Sequence, residues 1–145
     1  MNETIRKFGY PATLIREYAH WVVLLRPAQP TLGSLVLAAK SSATAFADLE
    51  AAAFAELGSV VGAIEAALKT AVSYERINYL MLMMVDPNVH FHVFPRYEGA
   101  RSIDRIEIED RGWPGPPDLT SSLVLEPADL NRLQAEFKKR WLITC

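Results

Sequence analysis

Cysteine is almost missing from this chain of 145 residues, and histidine is scarce. The one cysteine, Cys145, is the last residue. Without a second cysteine the chain can form neither an internal disulfide nor a thiolate metal cage, so we expect no chemical role for Cys145. Of only three histidines, two lie close together in the sequence, at His90 and His92.

The chain also has no excess of positive charge and no long hydrophobic run. Its formal net charge is −2, which provides no basic face for a nucleic acid polymer, whereas a small phosphorylated ligand needs only a few donors. The apolar run from Tyr79 to Val85 is far shorter than the roughly 20 residues of a membrane-crossing helix. The first residues lack the layout of a secretory signal. We therefore expect a cytoplasmic protein that binds neither a nucleic acid polymer nor a membrane.

The remaining composition is typical of a folded protein. Half of the residues are apolar and 22% are charged, which is the balance found in globular domains rather than in disordered chains. A chain of this length can bury one working core but is too short for two independent ones. We predict a single domain over residues 1–145.

Short apolar runs predict several strands. The segments from His20 to Leu25 and from Ser34 to Ala38 are separated by a loop with two prolines and a glycine, and we expect them to pair antiparallel. Residues 76–85 are almost all apolar, which favours a central strand covered on both faces. Asp86 and Pro87 then turn the chain before another strand at 90–94. Residues 98–120 hold many helix and strand breakers, with a short strand predicted at 105–109.

Two helices are predicted. The first is alanine-rich, ends near Val72 and carries apolar residues at steps of three and four. We expect hydroxyl groups to cap its start and glycines to weaken its middle. The capping candidates are Ser41, Ser42 and Thr44, and the glycines, where a break is expected, are Gly58 and Gly62. The second helix opens at Pro127 with an apolar stripe formed by Leu130, Leu133, Phe137 and Trp141.

The strand at 90–94 carries the residues best suited to chemistry. Side chains alternate along a strand, so Asn88, His90, His92 and Phe94 share one face, with neighbours about 7 Å apart. Two imidazoles at that spacing can line one pocket. Their ordinary pKa of about 6.5 leaves a neutral nitrogen available as a nucleophile or base near neutral pH. The third histidine, His20, begins a strand and is expected to be structural.

This segment resembles the signature of the histidine triad (HIT) family, in which three histidines alternate with apolar residues, often before proline and arginine. The nine residues are Asn88-Val89-His90-Phe91-His92-Val93-Phe94-Pro95-Arg96. The order of elements over residues 18–97 is also similar to that of the family. The resemblance implies an α+β, two-layer fold: an antiparallel sheet of about five strands with a long central helix and a C-terminal helix.

The resemblance also implies an activity. Members bind a nucleotide, usually as homodimers, and attack its α-phosphate with the middle histidine, which corresponds to His90 here. The implied function is hydrolysis or nucleotidyl transfer on a nucleoside phosphoramidate or dinucleoside polyphosphate, through a phosphohistidine intermediate. His92 would hold phosphate oxygens or act as an acid. No tightly bound cofactor is expected, although a divalent cation can accompany the nucleotide.

Three further residues are predicted to contact the substrate. Asn88 stands where the family has its first histidine, and Arg26 lies where a ribose-binding residue is common. An arginine prefers phosphate to a sugar diol, and Arg96 follows the signature where it can also point at phosphate. Because Asn88 cannot relay a proton, we hypothesise that Asn88→His raises turnover.

Two other functions stay open, as does a histidine pair without any function. The altered first position is compatible with a nucleotide-binding protein that has lost turnover. Two histidines two residues apart also suit a zinc or iron site, for which Asp86, Asp104 or His20 would have to supply a third ligand. Finally, a histidine pair on a sheet face can have no ligand at all.

Overall fold

In the computed structural model, which describes residues 1–144, three α-helices and nine strands form the fold; Cys145 lies outside the described residues. The helices are α1 (Glu3–Lys7), α2 (Ala51–Val72) and α3 (Pro127–Thr144). The strands are β1 (Leu14–Glu17), β2 (Trp21–Leu25), β3 (Ala28–Gln29), β4 (Leu35–Ala39), β5 (Arg76–Leu80), β6 (His90–Arg96), β7 (Ala100–Ile103), β8 (Ile106–Glu109) and β9 (Leu123–Val124).

A five-stranded antiparallel sheet in the order β1-β2-β4-β6-β5 is the centre of the fold. The predicted pairing of β2 with β4 is confirmed, with Val23 opposite Leu37. β4 then pairs with β6, so that Val36 lies opposite His92. Two small ribbons, β3 with β9 and β7 with β8, complete the strands. The predicted α+β architecture, with a sheet of about five strands, a long helix and a C-terminal helix, is confirmed.

The sheet has two buried faces with different coverings. One face packs against α2 and α3, where Leu68 and Phe137 are fully buried in the main core. The opposite face carries Val22 and Val36, which pack against Ile5 of α1 in a second, smaller cluster. Full burial of an aliphatic side chain stabilises a fold by about 2 kcal/mol. Helix α1 therefore covers the sheet face on which the histidine pair was predicted.

Helix α2 starts later than the sequence predicts and does not break. It begins at Ala51, after a 3-10 turn at Phe46–Asp48, and no side chain caps it; the predicted caps at residues 41, 42 and 44 are therefore wrong. Gly58 and Gly62 are both exposed, with nothing close to where a Cβ would lie. Each glycine costs about 1 kcal/mol relative to alanine, and burial on the opposite side, which includes Ile64, outweighs this cost. By length and composition alone α2 is apolar enough to cross a membrane, as core helices of folded proteins also can be.

The prediction of a central strand at 76–85 is wrong. β5 ends at Leu80 and forms an edge of the sheet, pairing only with β6 among residues 1–144. Met83 has a φ of 50°, in the left-handed region that a strand cannot continue through. Beyond the strand, Met84 and Val85 are 86% and 79% exposed. A continuous apolar run is typical of a central strand only when strands pair with both of its edges and other elements cover both of its faces.

The C-terminal third agrees with the sequence better than the N-terminus does. The short strand predicted within 105–109 is observed as β8, with alternating burial, although its hairpin partner β7 was not predicted. Helix α3 begins at Pro127 as expected and buries Leu133, Phe137 and Trp141. No element was predicted before residue 20, where α1 and β1 lie.

Candidate functional site

His90 and His92 lie side by side on one face of the central sheet. Both belong to β6, and their ring centroids are 5.1 Å apart with the rings nearly perpendicular. His90 is only 1% exposed, whereas His92 is partly exposed. The structure thus brings the predicted pair together, and it does so on the face covered by α1 rather than on the face covered by α2.

A backbone carbonyl fixes the orientation of His90. Its Nδ1 lies 2.7 Å from the carbonyl oxygen of Asn88. A carbonyl can only accept a hydrogen bond, so Nδ1 is the nitrogen that carries the proton and donates it. In the neutral ring the other nitrogen, Nε2, therefore keeps its lone pair, which is the state that a nucleophile requires.

His92 is held in its neutral form by its surroundings. Burial, together with the nearby Arg26 and His90, lowers its pKa to about 4, and the carboxylate of Asp86 acts in the opposite direction. The ring stacks on Phe94 with centroids 6.1 Å apart. Its Nδ1 is buried and has no hydrogen-bond partner. At neutral pH the free His92 is therefore a neutral ring that can accept a hydrogen bond but has no imidazolium proton to supply.

Arg26 lies next to this pair. Its guanidinium is placed over the ring of Phe94, 5.6 Å from the centroid, and donates to the carbonyl of Ala28 at 2.7 Å. Its Nε is buried without a partner, and burial lowers the pKa of the group. Within residues 1–141, Arg26 Nε and His92 Nδ1 are the two buried side-chain polar atoms left unpaired. Because an unpaired buried polar atom costs about 1–3 kcal/mol, both favour a polar ligand nearby.

Phe8 covers both histidines. This residue was not predicted from the sequence. It follows α1 directly, and its ring centroid is 5.6 Å from those of His90 and of His92. The space beside the two imidazoles is thus occupied by an aromatic side chain of the same chain. The helix signal that was available is Asn2, whose side chain accepts from the amide of Ile5 and caps α1.

Asn88 uses its side chain to hold α1. Its Oδ1 accepts hydrogen bonds from the amide and hydroxyl of Thr4 at 3.3 and 3.0 Å, and its Nδ2 donates to the carbonyl of Ser42 at 3.1 Å. Nearby, Lys7 forms an ion pair of 2.6 Å with Asp86. The side-chain amide of Asn88 therefore already has hydrogen-bond partners within the protein, and the predicted contact of Asn88 with substrate stays a prediction.

Arg96 is engaged elsewhere. Its Nε and Nη2 donate to Asp110 at 2.7 and 3.0 Å, and its Nη1 donates to Asn78 at 2.8 Å. Both partners of this ion pair are almost completely buried. Each guanidinium nitrogen thus already has an acceptor within the protein, and the predicted contact of Arg96 with phosphate stays a prediction. Asp110 was not predicted as a site residue, because nothing in its sequence spacing marks it as a partner of β6.

The residues proposed as further metal ligands do not join the pair. His20 Nδ1 lies 3.1 Å from a carboxylate oxygen of Glu50, in agreement with a structural role. The carboxylate of Asp86 forms an ion pair with Lys7. Asp104 lies between β7 and β8 with a φ of 55°. Across residues 1–144, no group of three or more histidine, cysteine, aspartate or glutamate side chains is placed to hold a metal ion.

Comparison with known proteins identifies the fold. No protein-family model and no curated protein matches the sequence. A histidine triad protein from Marinobacter aquaeolei VT8 has a TM-score of 0.75 and 16% identity, over 100% of this chain and 97% of that one. A hypothetical histidine triad nucleotide-binding protein from Sulfolobus tokodaii has a TM-score of 0.69 and 17% identity, over 97% of this chain and 90% of that one. A zinc-bound histidine triad family protein from Mycobacterium smegmatis has a TM-score of 0.56 and 19% identity, over 93% of this chain and 90% of that one. The fold is therefore the histidine triad fold, as the signature at Asn88–Arg96 predicted.

Proposed function

We propose that this protein is a nucleotide hydrolase or nucleotidyl transferase that forms a covalent intermediate on His90. The observation that carries the proposal is the 2.7 Å contact between His90 Nδ1 and the carbonyl of Asn88. It leaves Nε2 as a neutral nucleophile directed away from the strand backbone. The fold shared with a protein described as nucleotide-binding supports the class of ligand.

The proposed reaction has two displacements at phosphorus. In the first, the lone pair of His90 Nε2 forms a bond to the α-phosphorus. The bond from phosphorus to the leaving oxygen or nitrogen breaks, and the leaving group takes the electron pair. In the second, water forms a new phosphorus–oxygen bond and loses a proton to solvent. The bond between phosphorus and Nε2 breaks, its electron pair returns to Nε2, and the nucleoside monophosphate leaves. Division into two steps replaces one difficult displacement with two easier ones.

Arg26 and His92 are the groups that we assign to the phosphate. Both carry a buried, unpaired nitrogen, and both lie against Phe94. A phosphate oxygen accepts hydrogen bonds and carries negative charge, so it would satisfy the guanidinium and raise the pKa of His92 from its low value. His92 then becomes able to protonate the leaving group once substrate is bound. A divalent cation is proposed only as a companion of the nucleotide.

The test of this function is turnover with detection of the intermediate. Dinucleoside polyphosphates and nucleoside phosphoramidates are offered to the wild type and to His90→Ala, and the mixture is quenched for mass spectrometry. We expect nucleoside monophosphate from the wild type, a nucleotide adduct on His90, and neither from the variant. Equal rates for the two proteins would remove His90 from the mechanism.

A second candidate, a nucleotide-binding protein without turnover, is favoured by the position of Phe8 over both imidazoles. Tight nucleotide binding with neither adduct nor product would identify it. A metal site has less support, because no third ligand lies with the pair among residues 1–144. Activity that a chelator abolishes, together with metal in the purified protein, would favour that alternative.

We also propose that the protein is a homodimer. The edge strand β5 leaves backbone groups unpaired, and the residues after it expose Leu82, Met84 and Val85. An open strand edge beside exposed apolar side chains is a surface on which a second chain can pack. Light scattering should give twice the monomer mass for the wild type and a lower mass for Met84→Asp. A monomeric wild type would refute the dimer without affecting the proposed chemistry.

A further inference from the structure

We infer that α1 and the residues flanking it, Asn2 to Gly9, form a lid over the histidine pair that must move before a ligand reaches His90, and that Asn88 is the latch of this lid. The role of His90 as nucleophile and the choice of a nucleotide as ligand rest on the proposed function. A nucleophile must touch the phosphorus atom that it attacks, yet only 1% of His90 is exposed.

Phe8 is the part of the lid that contacts the histidines. Its ring is 5.6 Å from both imidazoles, which are themselves 5.1 Å apart, so the three rings form one packed cluster. The proposed phosphate position beside His92 and Arg26 adjoins this cluster. Because His90 is buried and Phe8 packs against its ring, a phosphorus atom that touches His90 must take space that Phe8 and its neighbours now fill.

The lid is held by polar contacts as well as by burial. The Asn2 side chain donates to the carbonyls of Ala39 and Ser41 at 2.8 and 2.9 Å, and Lys7 pairs with Asp86 at 2.6 Å. Ile5 is fully buried against the sheet. The closed position is therefore the resting state, and a ligand that binds the open state must offset the loss of these contacts.

Asn88 connects the lid to the nucleophile. Its side-chain oxygen accepts from the Thr4 hydroxyl, and its backbone amide donates to the same hydroxyl oxygen. Its backbone carbonyl accepts from His90 Nδ1 at 2.7 Å. One residue therefore fixes both the position of α1 and the orientation of the imidazole that α1 covers. This gives a structural reason for an amide at position 88, since its oxygen bonds Thr4 and its nitrogen bonds Ser42 at the same time.

Gly9 marks the end of the lid. Its φ is 96°, which only glycine adopts readily, and a Cβ at this position would lie 2.7 Å from Cγ2 of Thr13. The chain reverses here between α1 and β1. The lid is thus a short segment with a conformationally permissive residue at its junction to the sheet, which is where a hinge is expected.

The experiment is chemical modification of histidine by diethyl pyrocarbonate at neutral pH, read residue by residue by mass spectrometry. His20 is 29% exposed in its side chain and serves as the internal reference. In the wild type we expect the buried His90 to react at least about tenfold more slowly than His20, because local opening must precede its reaction. Phe8→Ala should raise the rate of His90 about tenfold relative to His20.

Two further variants make the test specific. Phe46→Ala removes the same ring from the other side of the molecule, where Phe46 packs against Phe54 and Phe91, and should leave the rates unchanged. Thr4→Val keeps Phe8 but removes the hydroxyl that bonds Asn88, and should also accelerate modification of His90. Wild-type rates for His90 equal to that of His20, or no acceleration in either lid variant, would overturn the lid.

The same variants separate the lid from the proposed function. Binding of adenosine monophosphate is measured by calorimetry, and Phe8→Ala should bind more tightly because the ligand no longer displaces a ring. Faster modification without nucleotide binding in any variant would leave the lid standing and refute the nucleotide function. Turnover with an adduct on His90, but with modification rates unaffected by Phe8→Ala, would do the reverse.

Discussion

Thr4 and Asn88 exchange hydrogen bonds in both directions across 84 positions of sequence. The Thr4 hydroxyl donates to Asn88 Oδ1 at 3.0 Å and at the same time accepts from the backbone amide of Asn88 at 3.1 Å. The amide of Thr4 adds a third bond at 3.3 Å. All of these atoms are buried, so loss of one partner leaves others unsatisfied.

The first prediction concerns this pair. Asn88→Ala should lower the free energy of unfolding by about 1–3 kcal/mol, because Thr4 and the carbonyl of Ser42 lose their buried partner. Asn88→His should destabilise the protein as well, since an imidazole cannot reproduce both amide contacts. The expectation from sequence that Asn88→His raises turnover stays a separate prediction. Urea unfolding followed by circular dichroism measures the change.

Thr120 provides the control for the latch. Its hydroxyl donates to Asp118 at 2.6 Å on the exposed surface. Thr120→Val removes the same group as Thr4→Val and should change the free energy of unfolding by less than about 0.5 kcal/mol. Similar losses in the two threonine variants would show that the Thr4 contact has no special importance for the fold.

The second prediction is a pH dependence of stability that originates in His92. Its pKa is lowered to about 4 in the folded protein, mainly by burial, and rises to its ordinary 6.5 on unfolding. Between these values the unfolded chain binds more protons, so stability must fall as the pH is lowered from 6.5 to 4. We expect about 2 kcal/mol to be lost over this interval through His92.

The measurement is urea unfolding of the wild type and of His92→Gln at pH 7 and pH 4.5. Carboxylates elsewhere titrate equally in both proteins, so the difference between the two pH dependences isolates His92. The variant should lose less stability on acidification than the wild type. Parallel losses in the two proteins would contradict the lowered pKa.

The sheet and its long helices could be predicted because their signals are local. The pairing of β2 with β4 follows from two apolar runs joined by a short loop, and α3 follows from Pro127 and a stripe at steps of three and four. The shared face of His90 and His92 follows from the alternation of a strand alone. Each of these inferences needs only residues that are neighbours in sequence.

The lid and the edge position of β5 could not be predicted, because both depend on what lies across the sheet. Nothing near Phe8 in the sequence indicates that its partners are His90 and His92. The apolar run after Arg76 does not show which strands are available to pair with it. Position 88 was interpreted as a lost histidine, whereas its contacts with Thr4 are visible only once the chain is folded.

The third prediction concerns Arg26. Its guanidinium is partly desolvated with Nε unpaired, so it costs stability in the absence of a ligand. Arg26→Met keeps the length of the side chain over Phe94 and removes the charge. We expect unchanged or higher stability, a raised pKa of His92 and nucleotide affinity lower by about tenfold, since one charge-assisted hydrogen bond is worth about 1.5–3 kcal/mol.

Calorimetry with adenosine monophosphate and imidazole titration by NMR measure the two effects of Arg26→Met. Arg16→Met is the matched control, because Arg16 is exposed and its guanidinium contacts Tyr18 rather than the histidine pair. A nucleotide affinity that falls equally in both variants would reflect overall charge, and would remove Arg26 from the phosphate site.

The fourth prediction separates structure from binding at Arg96. The residue was expected to contact phosphate, but it lies in a buried ion pair with Asp110 and bonds Asn78 through Nη1. Removal of one partner from such a pair leaves an uncompensated buried charge, which costs about 3–5 kcal/mol. Asp110→Asn and Arg96→Met should therefore each destabilise the fold strongly, by amounts that do not add in the double variant.

The control for this pair is on the surface. Arg132 and Asp129 are 3.6 Å apart on α3, with both side chains more than two-fifths exposed. Arg132→Met should change the free energy of unfolding by less than about 1 kcal/mol, as exposed ion pairs do. If Arg96→Met instead retained wild-type stability and lost nucleotide affinity, its guanidinium would be a ligand contact, and the ion pair with Asp110 would have to open when substrate binds.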